Sequence, residues 1–299
     1  MSDTTLTLPI VKAANAPLTR ARGYWRNVGR RLRRDYVTLF FASLIVVIAL
    51  AAILAPLVAP FDPNATSMIN RLKPIGYKGF ILGTDELGRD MLSRLIFGGR
   101  ISLLMGLVPV GLATVVGGFL GLLAGFTGGI INMLIMRIMD VFYAFPSVLL
   151  AVAISGTLGG GIAISLIALT LVFIPPLCRV SETATTQIRS RDFVDAARAS
   201  GASSLSIIFH HVLRNVLAPV LIYASSLISV SILLAAGLSF LGLGVEPPTS
   251  DWGLMLSTLR QSIYVQPVIC ALPGAAIFIC SLSFNLVSDG LRQAMDIRA

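Results

Sequence analysis

Charged residues are scarce in this chain of 299 amino acids. They make up 12% of it, whereas 56% of its residues are hydrophobic. Soluble domains carry about 25% charged residues, and a helix needs roughly 20 apolar residues to cross a bilayer. Five runs without any charge exceed that length: 36–61, 101–136, 141–178, 215–245 and 261–288. The composition therefore argues against a soluble protein and predicts an all-α polytopic membrane protein.

Acids and bases are nearly absent from the predicted spans. Proton-driven transporters need ionisable groups at membrane depth, where such groups mark ion pathways. Energy for any transport is therefore expected from outside this chain. A nucleotide site within it is not predicted either, because the three lysines, Lys12, Lys73 and Lys78, all lie outside a Gly-Lys-Ser/Thr sequence.

Metal-binding and nucleophilic residue types are also few. The two histidines, His210 and His211, are adjacent and would point in different directions on a helix, whereas a metal pair on one face needs a spacing of four. Cys178, Cys270 and Cys280 form no CxxC pair and are expected to pack in the core. We predict no catalytic, cofactor-binding or metal-binding residue, which argues against a membrane enzyme.

The breaks between apolar runs predict six transmembrane helices. Glycine-containing turns at 127–129 and 155–161 divide the two longest runs, since glycine clusters interrupt helices. Further glycines inside the second span are expected to let helices pack closely. The predicted spans are 37–59, 101–125, 131–155, 162–180, 216–243 and 265–288.

The basic residues predict the orientation of the chain. Sixteen of the 23 lysines and arginines fall on segments that would be inside if both termini are cytoplasmic. Lysine and arginine favour cytoplasmic loops, so this orientation is the predicted one. The net charge of +9 then reports topology and not a nucleic-acid partner. About 35 polar residues precede the first span, so it is expected to remain as an anchor and not to be cleaved as a signal peptide.

One long polar loop, 181–215, is expected on the cytoplasmic side. If 192–200 is helical, its spacing creates a smooth face with one aromatic residue, and Gly201 suits the turn that ends the helix. That face consists of Phe193, Ala196, Ala197, Ser200 and Gly201. A second amphipathic stretch follows at 205–212. The pattern alone leaves two possibilities equally open: a helix that docks in a partner's groove, or a helix pair on the membrane surface.

Three other groups of residues are predicted to be structural. Arg137 and Asp140, three residues apart, are expected to form an ion pair and not a transport site. The charged residues of 82–94 stand at helical spacings and predict ion pairs that brace the segment. Pro247-Pro248 predicts a stiff external turn, with Trp252 as an aromatic anchor at the membrane interface.

The loop resembles the EAA loop of ABC importer permeases. Asp195-Ala196-Ala197 and Gly201 match its pattern with Asp in place of Glu, whereas Arg214 stands where proline is usual. Three further stretches, 82–94, 239–256 and 284–296, are similar to the C-type subunits of the dipeptide/oligopeptide/nickel permeases. In the last stretch, Ile297 stands where that family often has proline. Together the similarities cover most of the chain from about residue 25.

The resemblance implies the transmembrane domain of a type I ABC importer in the bacterial cytoplasmic membrane. Its implied organisation is a basic cytoplasmic tail at 1–36, a first transmembrane helix and periplasmic segment at 37–96, a core at 97–289 and a cytoplasmic tail at 290–299. The loop 181–215 would couple the core to an ATPase. The implied coupling residues are Asp192, Phe193, Asp195, Ala196, Ala197, Ser200 and Gly201.

The resemblance also implies partners. They are a homologous permease, two ATPase subunits that bind ATP and magnesium, an extracytoplasmic binding protein and membrane lipid; this chain would itself catalyse nothing. Peptides are the first choice of cargo. Nickel or metal chelates, glutathione, opines and some sugars stay open, the substrate-binding residues are unknown, and a secondary transporter is the distant alternative.

Overall fold

The computed structural model describes residues 24–295, and this part of the chain is almost entirely helical. Short 3-10 turns cover Met68–Asn70 and Arg260–Ser262, and a π-helical stretch covers Ile208–Val212. The α-helices are α1 Tyr24–Leu32, α2 Tyr36–Ile53, α3 Ala55–Val58, α4 Met91–Thr127, α5 Gly129–Tyr143, α6 Ser147–Leu158, α7 Ile162–Arg189, α8 Asp192–Ala199, α9 Ser204–Ile207, α10 Leu213–Phe240, α11 Trp252–Leu259 and α12 Pro267–Met295.

The predicted membrane architecture is confirmed. Helices α2, α4, α7 and α12, and the continuous stretch Ser204–Phe240 that contains α10, are long and apolar enough to span a bilayer. Helices α5 and α6 meet the same criteria only as a pair, which is bent by 84°, so the described residues give five spans, or six if this pair is one broken span. The sequence predicted one straight helix over 131–155, and the structure has this bent pair in its place. Pro146 explains the break, because it lacks an N–H and disfavours the helical conformation at Phe145.

Two helices run past their predicted ends. Helix α4 begins at Met91 and not at 101, and α7 continues to Arg189 and not to 180. The predicted limits followed the first charged residues, but a helix can carry charge once it leaves the apolar layer or meets a partner. Arg189 meets one: its guanidinium donates hydrogen bonds to the carbonyl oxygens of Phe126 and Gly125, at 3.0 and 3.3 Å, at the end of α4. A cation is favourable at this end of a helix.

Helix α2 lies at the periphery of the bundle. Asp35 begins it by accepting hydrogen bonds from the backbone N–H groups of Val37 and Thr38, at 3.1 and 3.3 Å. Most of its apolar surface is uncovered, as the 61% exposure of Phe40 illustrates. Arg100 of α4 holds its other end by donating to the carbonyl oxygens of Ala52 and Ile53. The exposed side chains of α2 therefore face lipid or a partner helix.

A stripe of glycines on α4 packs against α7. Gly117, Gly121 and Gly125 repeat every four residues, so they share one face of α4. A Cβ added at Gly117 or Gly125 would lie 2.7 Å from a backbone carbonyl oxygen of α7, that of Ile174 or of Glu182 respectively. The predicted close packing of helices through glycine is confirmed, and it brings the two backbones together at the centre of the bundle.

Gly121→Ala is expected to destabilise the protein by about 2–3 kcal/mol, the usual cost of overpacking a tight core. A Cβ at this position would lie 2.6 Å from Cβ of Ser181 and 2.8 Å from the backbone nitrogen of Glu182. Gly118→Ala is the matched control, since its nearest neighbour would be a methyl group of Val220 at 4.0 Å. Thermal unfolding of the purified complexes measures the difference. Equal melting temperatures for the two variants would contradict the close approach of α4 and α7.

The segment between α3 and α4 contains the predicted ion pairs, but it is not helical where they form. Asp85 contacts Arg89 at 2.6 Å and Arg94 at 3.3 Å, and Glu86 contacts Arg89 at 3.0 Å. Residues 83–90 form turns in which Gly88 has a left-handed φ of 75°, so the helix starts only after Asp90. The two ion pairs of Asp85 are buried and that of Glu86 is partly buried, which supports the predicted structural role.

Trp252 is buried, and its prediction as an interfacial anchor is wrong. It is 3% exposed, and its indole N–H donates to the carbonyl oxygen of Leu95 at 2.9 Å. Asp251 draws α11 onto α4 because it caps α11 at the N–H of Leu254 and accepts a hydrogen bond from Ser102 at 2.8 Å. The prediction for the three cysteines is confirmed, as all are free and buried.

Candidate coupling surface and adjoining cavities

The segment predicted as the loop 181–215 is mostly helical. It consists of the end of α7, the short helix α8, helix α9 and the π-helical stretch that leads into α10. Helix α8 carries Asp192 and Asp195 in its first turn and Arg198 in its last, which is the favourable arrangement for the helix dipole. The predicted helix over 192–200 is confirmed to within one residue.

Gly201 ends α8 as predicted. Its φ of 80° is left-handed, and its N–H donates to the carbonyl oxygen of Arg198 at 2.9 Å. The N–H of Ala202 donates to the carbonyl oxygen of Ala197 at 3.1 Å. These two bonds form a Schellman motif, which needs a residue that adopts the left-handed conformation at low cost. The chain thus turns sharply from α8 into α9.

Val194 fixes α8 to the membrane domain. Its side chain is fully buried, and it packs in the main apolar core, which also contains Ile207 and Val212. Ala197 is half-buried against the same core. Sequence reasoning missed Val194, although it is the one large aliphatic residue of α8. The anchor determines which face of α8 points outward.

The structure divides the predicted coupling residues between two environments. Ala197 points partly inward, whereas the other six are exposed: Asp192, Phe193, Asp195, Ala196, Ser200 and Gly201. Phe193 is 45% exposed and lies 6.3 Å from the His211 ring, between centroids. Asp195 pairs with Arg198 at 3.2 Å, on the surface. The exposed face of α8 therefore presents a phenylalanine, a small residue and carboxylates to whatever lies beyond it.

A cleft of about 590 Å³ opens beside the start of α8. Three of its lining residues were not predicted, because they belong to the end of α7, the α7–α8 junction and the start of α10. The lining consists of Ile188, Arg191, Asp192, Phe193 and Asn215. The cleft gives the exposed face of α8 a concave neighbour.

The exit from this segment is a continuous helix. Arg214 stands inside α10, and the chain stays helical from Ser204 to Phe240 through the π-helical stretch. The predicted amphipathic stretch is split, since Val212 is buried while Leu205 and Phe209 are 68% and 58% exposed. Leu205 and Phe209 line an apolar groove of about 540 Å³, and residues of α4 form its other side.

A second recess lies where the third span breaks. A cavity of about 470 Å³ is lined by the 142–147 break together with residues of α7 and α10, among them Phe173, Pro175 and Pro176. A neighbouring cavity of about 480 Å³ lies toward the end of α7 near α8. Tyr143, Pro176 and Tyr223 line both cavities, so the two are contiguous.

The predicted ion pair of Arg137 and Asp140 is present, but Asp140 also has a closer partner on another helix. Arg137 lies 4.0 Å away from Asp140, whereas Arg179 of α7 makes a shorter ion pair and a direct hydrogen bond with it. The guanidinium of Arg179 also lies 5.2 Å from the centre of the Tyr143 ring. Sequence spacing found the local pair but not the contact across helices.

Over residues 24–295, no group of three His, Cys, Asp or Glu side chains is placed to hold a metal ion.

Comparison with protein families gives two matches. Residues 117–299 match the model described as "Binding-protein-dependent transport system inner membrane component". Residues 23–74 match the "N-terminal TM domain of oligopeptide transport permease C". The first match contains α8 and both contiguous cavities, and the second contains α2.

Curated relatives align over nearly their whole length. The di/tripeptide transport system permease protein DppC of Pseudomonas aeruginosa is 46% identical over 263 residues, 86% of each chain. The dipeptide transport system permease protein DppC of Haemophilus influenzae is 38% identical over 303 residues, 99% of this chain and 98% of the relative. The glutathione transport system permease protein GsiD of Pectobacterium atrosepticum is 36% identical over 290 residues, 97% and 95% respectively.

Solved structures give the same fold. A structure of the MetNI methionine ABC transporter in an inward-facing conformation aligns with a TM-score of 0.57 at 20% identity, covering 68% of this chain and 97% of the other. An amino acid ABC transporter aligns with a TM-score of 0.52 at 17% identity, covering 68% and 94%. With the family matches and the apolar helices, these likenesses identify the chain as a multi-pass inner-membrane permease of an ABC importer, a member of the family of binding-protein-dependent transport system inner membrane components.

Proposed function

We propose that this permease passes di- and tripeptides through the inner membrane, in a complex driven by separate ATPase subunits. The observation that carries the cargo is the 46% identity to a di/tripeptide permease along most of both chains. Dipeptide permeases from other bacteria align almost from end to end. Glutathione is the second candidate, since permeases named for it align over as much of the chain.

The proposed coupling surface is the exposed face of α8 with the cleft beside it. We assign it to contact with an ATPase subunit, through Phe193, Ala196 and Ser200, flanked by Asp192 and Asp195. A short helix with one aromatic side chain and small neighbours fits a partner's groove. The membrane-surface alternative is less well supported, because α8 carries its one large aliphatic residue, Val194, on the buried side.

A movement of α8 would be transmitted to the membrane domain through Val194 and α7. Val194 is fixed in the core, and α7 runs unbroken from Arg189 to Ile162 past the contiguous cavities. Force applied to α8 by closing ATPase subunits would tilt α7 and α10 together. Such rigid-body switching, biased by a remote ligand, alternates access to a path between two permeases.

The proposed assembly contains further subunits. A homologous permease would complete the path, two ATPase subunits would bind ATP and magnesium, and an extracytoplasmic binding protein would deliver the cargo. We assign no catalytic, cofactor or metal site to this chain. The proposed orientation has both termini in the cytoplasm, with α8 on the cytoplasmic side and the α3–α4 segment outside, in agreement with the excess of arginine and lysine on the inner segments.

The test is transport by the complete complex, purified from its native operon and reconstituted in liposomes with its binding protein. Peptide-loaded binding protein should stimulate ATP hydrolysis, and labelled dipeptides should accumulate inside. Stimulation by glutathione or metal chelates alone would preserve the architecture and refute the peptide assignment. Failure of any ATPase subunit to co-purify in mild detergent would refute the coupling surface.

A further inference from the structure

The break between α5 and α6 defines a face of the bundle that cannot lie against lipid. At residues 144–146 the backbone leaves the helical hydrogen-bond pattern within an apolar span. Non-helical backbone at membrane depth is tolerated only where protein covers it or where it lines a water-filled space. The recess at this break therefore faces a partner subunit or an aqueous path.

Arg179 is the one charged side chain that lines either of the two contiguous cavities, among the residues the structure describes. The cavity at the break is lined by apolar, aromatic and hydroxyl residues, and the cavity nearer α8 adds Arg179 and neutral polar groups. The Arg179 side chain is 48% exposed, so it is accessible from the cavity. Cargo that moves along this recess meets this single guanidinium.

The contact that holds Arg179 is exchangeable. Asp140 is 43% exposed, and exposed ion pairs are worth little because water and other ions compete for them. Tyr143 supports the guanidinium from one side, with its ring centre 5.2 Å away. A second carboxylate could therefore replace Asp140 at small cost.

We propose that Arg179 is a cargo-contacting residue, which donates hydrogen bonds to a carboxylate of the passing cargo in exchange for Asp140. Arginine suits this role because its planar guanidinium binds a carboxylate through two parallel hydrogen bonds. The inference rests on the proposed function and refines it: the path favours cargo with more carboxylates and disfavours cargo with more ammonium groups.

The experiment measures initial uptake of three dipeptides by the reconstituted complex: alanyl-glutamate, alanyl-glutamine and alanyl-lysine. Each rate for a variant is divided by the wild-type rate for the same peptide, so the selectivity of the binding protein cancels. For Arg179→Gln we expect alanyl-glutamate to lose about tenfold more than alanyl-lysine, the size of one charge-assisted hydrogen bond, with alanyl-glutamine between them. Asp140→Asn frees Arg179 and should shift the same ratio in the opposite direction.

Arg137→Gln is the matched control, because Arg137 also neighbours Asp140 but lines neither cavity. It should leave the three ratios equal. A loss in Arg179→Gln that is the same for all three peptides would show that Arg179 does not select for the additional carboxylate and would overturn the proposal. Rescue by exchanging the two residues, as Asp140→Arg with Arg179→Asp, would reveal a purely structural ion pair and would overturn it as well. If the wild-type complex takes up none of the peptides, the proposed function itself fails, and this inference fails with it.

Discussion

Ala196→Glu is expected to abolish transport while leaving the protein folded in the membrane. Ala196 is exposed on α8 and lies on the face assigned to the ATPase. A carboxylate buried there without a partner would cost about 3–5 kcal/mol, which is more than a hundredfold in the affinity of the subunits. Transport by the reconstituted complex and co-purification of the ATPase subunits measure the loss.

Arg198→Glu is the control for this prediction. Arg198 is also exposed and lies on the same helix, but its position two residues after Ala196 places it on the opposite side of α8 from Phe193, Ala196 and Ser200. It should retain most of the activity. Ala197 is the poorer site for such a test because it is half-buried against the core, and a charge there would also disturb folding. Full transport by the Ala196→Glu variant would refute the assignment of α8 to contact with an ATPase subunit.

Asp85→Asn is expected to destabilise the α3–α4 segment by about 3–5 kcal/mol, the cost of leaving buried charges without their counter-ion. Its carboxylate contacts Arg89 and Arg94, whose side chains are 5% and 2% exposed, and it also accepts hydrogen bonds from the N–H groups of Leu87 and Arg89. An asparagine amide would retain some acceptors but would turn donors toward a guanidinium. Protease sensitivity of the segment and thermal unfolding of the complex measure the effect.

Glu86→Gln is the control for the second prediction. Glu86 contacts only Arg89 of the two arginines, and its side chain is 18% exposed. We expect a loss of about 1 kcal/mol, as for a partly exposed ion pair. If Asp85→Asn unfolds no earlier than Glu86→Gln, Asp85 is not the centre of the ion cluster.

Much of the architecture could be predicted from the sequence, because its signals are local. Uninterrupted apolar runs must become helices in a bilayer, where backbone groups have no water to bond with. The end of α8 at Gly201 was equally predictable, since a helix that turns left-handed favours glycine. The ends of helices were less predictable. The predicted fourth span ended at 180 because Arg179 is charged, whereas α7 continues to Arg189.

The residues that sequence reasoning missed depend on which helices become neighbours. The spacing of Arg137 and Asp140 predicted a local pair, but packing of α5 on α7 gives Asp140 a closer partner in Arg179. Trp252 was predicted to be an interfacial anchor, but its ring packs against α4 in the space that Gly98 leaves free. Such contacts join positions far apart in the chain, so no local pattern encodes them.

The sequence by itself determined that this protein crosses the membrane, approximately where it does so, and that a short helix with Asp195-Ala196-Ala197 lies between the fourth and fifth spans. Only the tertiary structure decided that Val194 anchors this helix, which face of it remains free, and that the broken third span opens onto Arg179. The physical reason is that hydropathy and turn preference act within a few residues, whereas burial and ion pairing are decided by packing between distant helices.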